Sequence, residues 1–81
     1  MIETVLLVDD EPGIRKILGI WLADAGYRVI EAESGDEALR MFAEFHPAIV
    51  LTDIKMPGMD GIDLLQAIKR ANPDTEVIMI T

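Results

Sequence analysis

The 81 residues make one small domain, since a chain of this size buries only roughly 60 to 65 % of its unfolded surface, and half of them are apolar. The absence of cysteine excludes disulfide or thiolate-metal support, and the net charge of −8 argues against direct nucleic-acid contact by this segment, its seven Lys and Arg residues being scattered singly or in pairs. The apolar start at residues 2–8 is too short for a signal or membrane segment and runs directly into Asp9 and Asp10.

Residues 4–8 form a continuous apolar run and read as a strand that ends in acids: Asp9, Asp10 and Glu11. Pro12 suits the first turn of a helix. Beyond it Ile14, Ile17, Leu18, Trp21, Leu22 and Ala25 recur at helical spacing, which predicts a helix laid on a sheet, closed by Gly26. Residues 27–32 predict a second strand, whose Arg28 and Glu31 mark an edge. Ser34 and Glu37 have the spacing of a capping box at the start of a second helix. Its apolar side is read as Ala38, Leu39, Met41, Phe42, Ala43 and Phe45, and His46 with Pro47 stops it. As the only histidine, beside a helix-ending proline, His46 reads as a surface residue and not as a catalytic one.

The stretch from 48 to 61 organises the rest. A strand expected to be buried on both faces delivers Asp53 to the sheet rim, and Pro57, Gly58, Asp60 and Gly61 supply the turn, with Asp60 as a candidate cap for a third helix. That helix carries Ile62, Leu64, Leu65, Ile68 and Ala71 and ends at Asn72 and Pro73; residues 76–80 predict a fourth strand with Thr81 at its end. Strand and helix alternating in this way imply a parallel sheet with right-handed crossovers, hence an α/β fold with helices on both faces. The carboxyl ends of parallel strands share one rim, so Asp9, Asp10, Asp53 and Thr81 are expected to meet in one crevice.

Each of these residues has an ordinary explanation: strand-end acids start turns or favour a helix N-terminus by about 0.3 to 1 kcal/mol, and a strand-end Thr is a good strand former. One acid would serve those purposes. Three carboxylates in one crevice repel each other unless one is protonated or a cation sits among them. Magnesium, bound by one or two carboxylates with its remaining sites on water and phosphate oxygen, answers that need. A carboxylate beside such an ion can act as a nucleophile toward phosphorus, and Asp53, after the central strand, is best placed for it. Lys55 reads as a solvated side chain whose backbone carbonyl can reach a metal at Asp53.

The combination Leu7-Val8-Asp9-Asp10-Glu11, then residues 53–61 reading Asp-Ile-Lys-Met-Pro-Gly-Met-Asp-Gly, then Thr81, resembles the receiver domain of bacterial two-component response regulators along the whole chain. The resemblance implies a flavodoxin-like, three-layer doubly wound sheet of the 2-1-3-4-5 type and a cytoplasmic location. It also implies roles. Asp53 would accept a phosphoryl group from a sensor histidine kinase or a histidine phosphotransfer protein, Asp10 and the Lys55 carbonyl would bind magnesium directly, Asp9 would do so through water, and Thr81 would be the switch hydroxyl. Members of that family continue past the switch threonine into a fourth helix, a fifth strand ending in a lysine, and a fifth helix. Residues 1–81 are therefore expected to be the N-terminal part of a receiver, with Lys16, Lys55 and Lys69 all lying elsewhere than that lysine.

Three other functions compete. A phosphatase with a strand-end Asp nucleophile needs a second acid two residues on, where Lys55 stands. A nucleotide-binding module needs a glycine-rich turn where residues 9–12 place three acids and a proline. The third is a phosphotransfer-incompetent fragment that self-associates through helix 1 or the exposed edge of strand 4, which would leave apolar residues and unpaired backbone groups in water.

Overall fold

Runs of β-branched and aliphatic residues alternate with segments of helical periodicity, and the chain folds accordingly. The elements are β1 (Thr4–Val8), α1 (Pro12–Asp24), β2 (Arg28–Ala32), α2 (Gly35–Phe45), β3 (Ile49–Asp53), α3 (Gly61–Ala71) and β4 (Glu76–Ile80). The computed structural model describes residues 2–80, so the expectation for Thr81 falls outside the described residues. All strand pairs are parallel, in the order β2-β1-β3-β4. Right-handed crossovers in that order put α1 on one face, where the chain steps from β1 to β2, and α2 and α3 on the other, where it steps back past β1. The result is the expected three-layer, flavodoxin-like arrangement, with β2 at an edge.

The main core lies under α2 and α3. Leu6, Val8 and Val50 from the sheet meet Ala38 and Phe42 of α2 and Leu64 and Ile68 of α3, all buried. Burying such side chains fully is worth about 1.5 to 3 kcal/mol each. The central strands differ in cover. Residues 5–8 of β1 are buried on both faces, whereas in β3 Val50 and Thr52 are buried and Ile49, Leu51 and Asp53 only half-buried. The expectation that β3 is fully buried on both faces is thus corrected, because α1 lies over β1 and β2 and leaves the α1 face of β3 partly open.

The helices obey their local signals, with corrections in which side faces inward. Ser34 Oγ accepts from the Glu37 N–H at 3.1 Å, but the Glu37 carboxylate accepts from Glu33 N–H, one residue outside the reciprocal partner of a capping box. Asp60 caps α3 through Asp63 N–H at 2.9 Å. Gly26, with φ of 99°, and His46, with φ of 49°, end α1 and α2 in left-handed geometry. The apolar stripes read from the sequence are broader than the contacts. In α1 the half-buried edge is Arg15, Leu18, Gly19 and Leu22, while Ile14, Ile17 and Trp21 are exposed, Trp21 at 66 %. Ala43 and Phe45 of α2 and Ile62 and Ala71 of α3 are exposed as well. A helix resting on a flat sheet buries about three residues per two turns, so a wider apolar arc leaves its flank in water.

Candidate metal centre at the sheet rim

Register brings the acids together. Val8 pairs with Thr52 across β1 and β3, and one step further along both strands Asp9 stands opposite Asp53. Carboxylate oxygens of Asp9, Asp10 and Asp53 all lie within 4.8 Å of one another. Asp9 is buried at 5 % exposure, Asp53 is half-buried and Asp10 is exposed. An all-oxygen, triply anionic donor set of this kind suits a hard divalent cation such as magnesium and offers no soft ligand. The three carboxylates that the sequence assigned to one crevice are the three the fold assembles. Lys55 follows in the exposed loop after β3.

Local chemistry holds each acid. Asp9 Oδ1 accepts from the Glu11 N–H at 2.9 Å, its N–H donates to the Ala32 carbonyl at 3.2 Å, and its carbonyl accepts from Arg15 Nη1 at 2.6 Å. The bond to Glu11 N–H fixes the Asp9 carboxylate in the turn beside the cluster. Asp53 is set by the loop that follows it. The Gly61 N–H donates to the Ile54 carbonyl at 2.7 Å and closes residues 54–61 into a tight bend. A Cβ on Gly61 would collide with the Asp53 carbonyl oxygen and come within 3.0 Å of Ile54 Cα, so this approach requires glycine. The same loop touches α2, where a Cβ on Gly35 would come within 2.8 Å of Met59 Cβ.

Beside the carboxylates lies a cavity of ≈ 310 Å³ lined by Asp9, Glu11, Ile14, Leu18, Asp53 and Ile80. Its walls are acidic and apolar, with no basic residue among those that line it. Lys69 is committed elsewhere, donating to the carbonyls of Pro73 and Thr75 beyond α3. Two features escaped the sequence reading: the Arg15 contact with the Asp9 carbonyl and the glycine packing behind Asp53. Arg15 shares the half-buried edge of α1 with Leu18 and Leu22, where a charge must have a partner, but that edge is identified by the burial of the helix and not by its sequence.

The family described as "Response regulator receiver domain" matches residues 5–81. The transcriptional regulatory protein GlrR of Escherichia coli (strain K12) is 43 % identical over 77 residues, which are 95 % of this chain and 17 % of that protein. The 81 residues thus span about a sixth of the length of that curated relative. Among solved structures, the response regulator protein TrrA of Thermotoga maritima in complex with Mg(2+)-BeF superposes with a TM-score of 0.93 at 37 % identity, covering 96 % of this chain and 68 % of that one. A structure of histidine kinase ThkA in complex with TrrA matches with a TM-score of 0.93 at 38 % identity, over 99 % of this chain and 69 % of that one.

Proposed function

Because the chain belongs to the response regulator receiver domain family, we propose that it is the phosphoacceptor of a two-component system, receiving a phosphoryl group on Asp53 from a histidine kinase or histidine phosphotransfer protein. The observation that carries this reading is the convergence of Asp9, Asp10 and Asp53 within 4.8 Å at the rim of a parallel sheet. Asp10, Asp53 and the Lys55 carbonyl are the proposed direct magnesium ligands, and Asp9 acts through water. TrrA, crystallised with Mg(2+)-BeF and with a histidine kinase, supports both the cation and the class of partner. The family is generally one of signalling domains, so the chemistry is self-directed and no separate substrate is turned over. A cytoplasmic location is part of the same proposal; among the described residues no helix is long and apolar enough to cross a membrane.

In the transfer, a carboxylate oxygen of Asp53 attacks phosphorus in line. The new P–O bond forms as the P–N bond to the donor imidazole breaks, and the imidazole nitrogen retains the electron pair. Bound magnesium supplies positive charge that offsets the carboxylates and the phosphoryl oxygens. Asp9, braced by Glu11 N–H and Arg15, keeps its carboxylate fixed beside the cluster. Gly61 holds the backbone of Asp53 so that its side chain leaves the strand in one direction. The Thr81 hydroxyl is assigned the role of following the phosphoryl group.

Incubation with acetyl phosphate, read by intact mass, tests this. The chain should gain one phosphoryl group slowly, because no basic side chain among the described residues lines the cavity to meet a charge of roughly −2. Chelation of magnesium and Asp53→Asn should each abolish the gain; labelling that survives Asp53→Asn would refute the assignment. The exposed flank of α1 and the outer edge of β4 favour a second reading, a self-associating chain that does not take up phosphoryl groups. Equal heats of magnesium titration from the unmodified chain and Asp10→Asn, together with no labelling, would favour it.

A further inference from the structure

Arg15 leaves the first turn of α1 and points back under the acidic loop. Its side chain is only 15 % exposed; Nη1 donates to the Asp9 carbonyl at 2.6 Å, and Nε lies 3.4 Å from Glu31 Oε1 on β2. One guanidinium thereby ties the end of β1 to the edge strand. A planar fork with separate donors can hold two partners in fixed directions, which a lysine ammonium cannot. Glu31 Oε2 lies near Gly19 of the same helix, 3.5 Å from where a Cβ there would stand.

The Asp9 carbonyl belongs to the same planar peptide unit as the Asp10 nitrogen. Fixing that oxygen therefore fixes the plane from which Asp10 departs. This matters because Asp10 is exposed and its carboxylate makes no hydrogen bond among the described residues, so the backbone, which sets the direction of its Cα–Cβ bond, is the part of it that the protein holds. Asp9, by contrast, is held through its own side chain.

We infer that the Arg15–Glu31 pair is a positioning device for the magnesium-binding loop, orienting the Asp9–Asp10 peptide so that Asp10 meets Asp9 and Asp53 at the cation. The inference rests on the magnesium reading of the site given above. It is opposed by the charge of Arg15 itself, which as a nearby cation disfavours a metal ion. The two effects have opposite signs. Positioning makes the loss of Arg15 weaken binding, whereas simple charge compensation makes its loss strengthen binding.

Calorimetric titration of magnesium into the unmodified chain, Arg15→Met, Arg15→Lys, Glu31→Gln and the Arg15→Met/Glu31→Gln double variant decides between them, with metal-free melting curves giving the folded fraction of each. Loss of a partner that orients a ligand from outside the coordination shell weakens metal affinity by about tenfold or more. We expect a loss of that size in Arg15→Met and Glu31→Gln, little rescue in Arg15→Lys, and no further loss in the double variant. Affinity equal to or tighter than that of the unmodified chain in any single variant overturns the inference. Should Arg15→Met fail to fold, Arg15→Lys decides, since it keeps the positive charge and removes only the planar fork, so that charge compensation predicts unchanged affinity and positioning predicts a loss. Absence of binding by the unmodified chain overturns the magnesium reading itself, and this inference with it.

Discussion

At Gly61 the start of α3 lies against the carbonyl of Asp53, a contact that leaves no space for a methyl group. Gly58, with φ of 75°, sits in the same loop but faces open space. The two glycines therefore have different reasons to be there, one for close approach and one for a left-handed backbone. Gly61→Ala should cost about 1 to 3 kcal/mol of stability by overpacking and weaken magnesium binding, because Asp53 must shift. Gly58→Ala should cost about 1 to 2 kcal/mol from its left-handed backbone and leave magnesium affinity unchanged. Urea denaturation and metal titration of both variants would check this, and equal magnesium affinities for Gly61→Ala and the unmodified chain would count against the packing argument.

Among the elements, the starts of α2 and α3 rest on single side-chain oxygens, whereas α1 begins at Pro12 with no side-chain cap. Ser34 and Asp60 each satisfy one otherwise unpaired N–H, so Ser34→Ala and Asp60→Ala should each destabilise by about 1 kcal/mol, seen as lower denaturation midpoints with unchanged slopes. These caps were legible in the sequence because the partners lie three residues apart and nothing distant competes. The four strands, their parallel pairing and the meeting of three acids were legible for a related reason: apolar runs ending in acids, separated by helical periods, admit few other arrangements. The inward side of α1 was not legible. Ile14, Ile17 and Trp21 look like core on a helical wheel, yet the sheet beneath is narrow and α1 covers only β1 and β2. Arg15 was overlooked for the same reason, since the edge on which it lies became visible only once β2 was in place.

For the whole molecule, the exposed flank of α1 and the outer edge of β4 make one expectation. Ile14, Ile17, Ile20 and Trp21 are exposed on the helix, Ile78 is 50 % exposed on β4, and no described strand pairs with the outer side of β4. Apolar surface of this kind beside open strand hydrogen-bonding groups promotes association between copies, while a charge of −8 opposes it. Light scattering should therefore show mass rising with concentration, and more steeply as added salt screens the repulsion. A monodisperse monomer at high concentration and high salt, with full hydrogen-exchange protection of residues 77–80, would contradict that. The strand order also sets the length of chain that each pairing must close. β1 reaches β2 through one crossover but reaches β3 only through two, so Asp53 arrives at Asp9 and Asp10 after the first pairing can already exist. Until β3 docks there is no three-acid cluster to repel itself and no complete cradle for a cation. Interactions completed after the barrier alter the rate of escape and not the rate of entry. Taking β3 docking as the late step, stopped-flow kinetics with and without magnesium should show unfolding slowed by the ion and refolding unchanged, the cation acting as a latch that closes behind that pairing; refolding accelerated by the ion would place the cluster before the barrier.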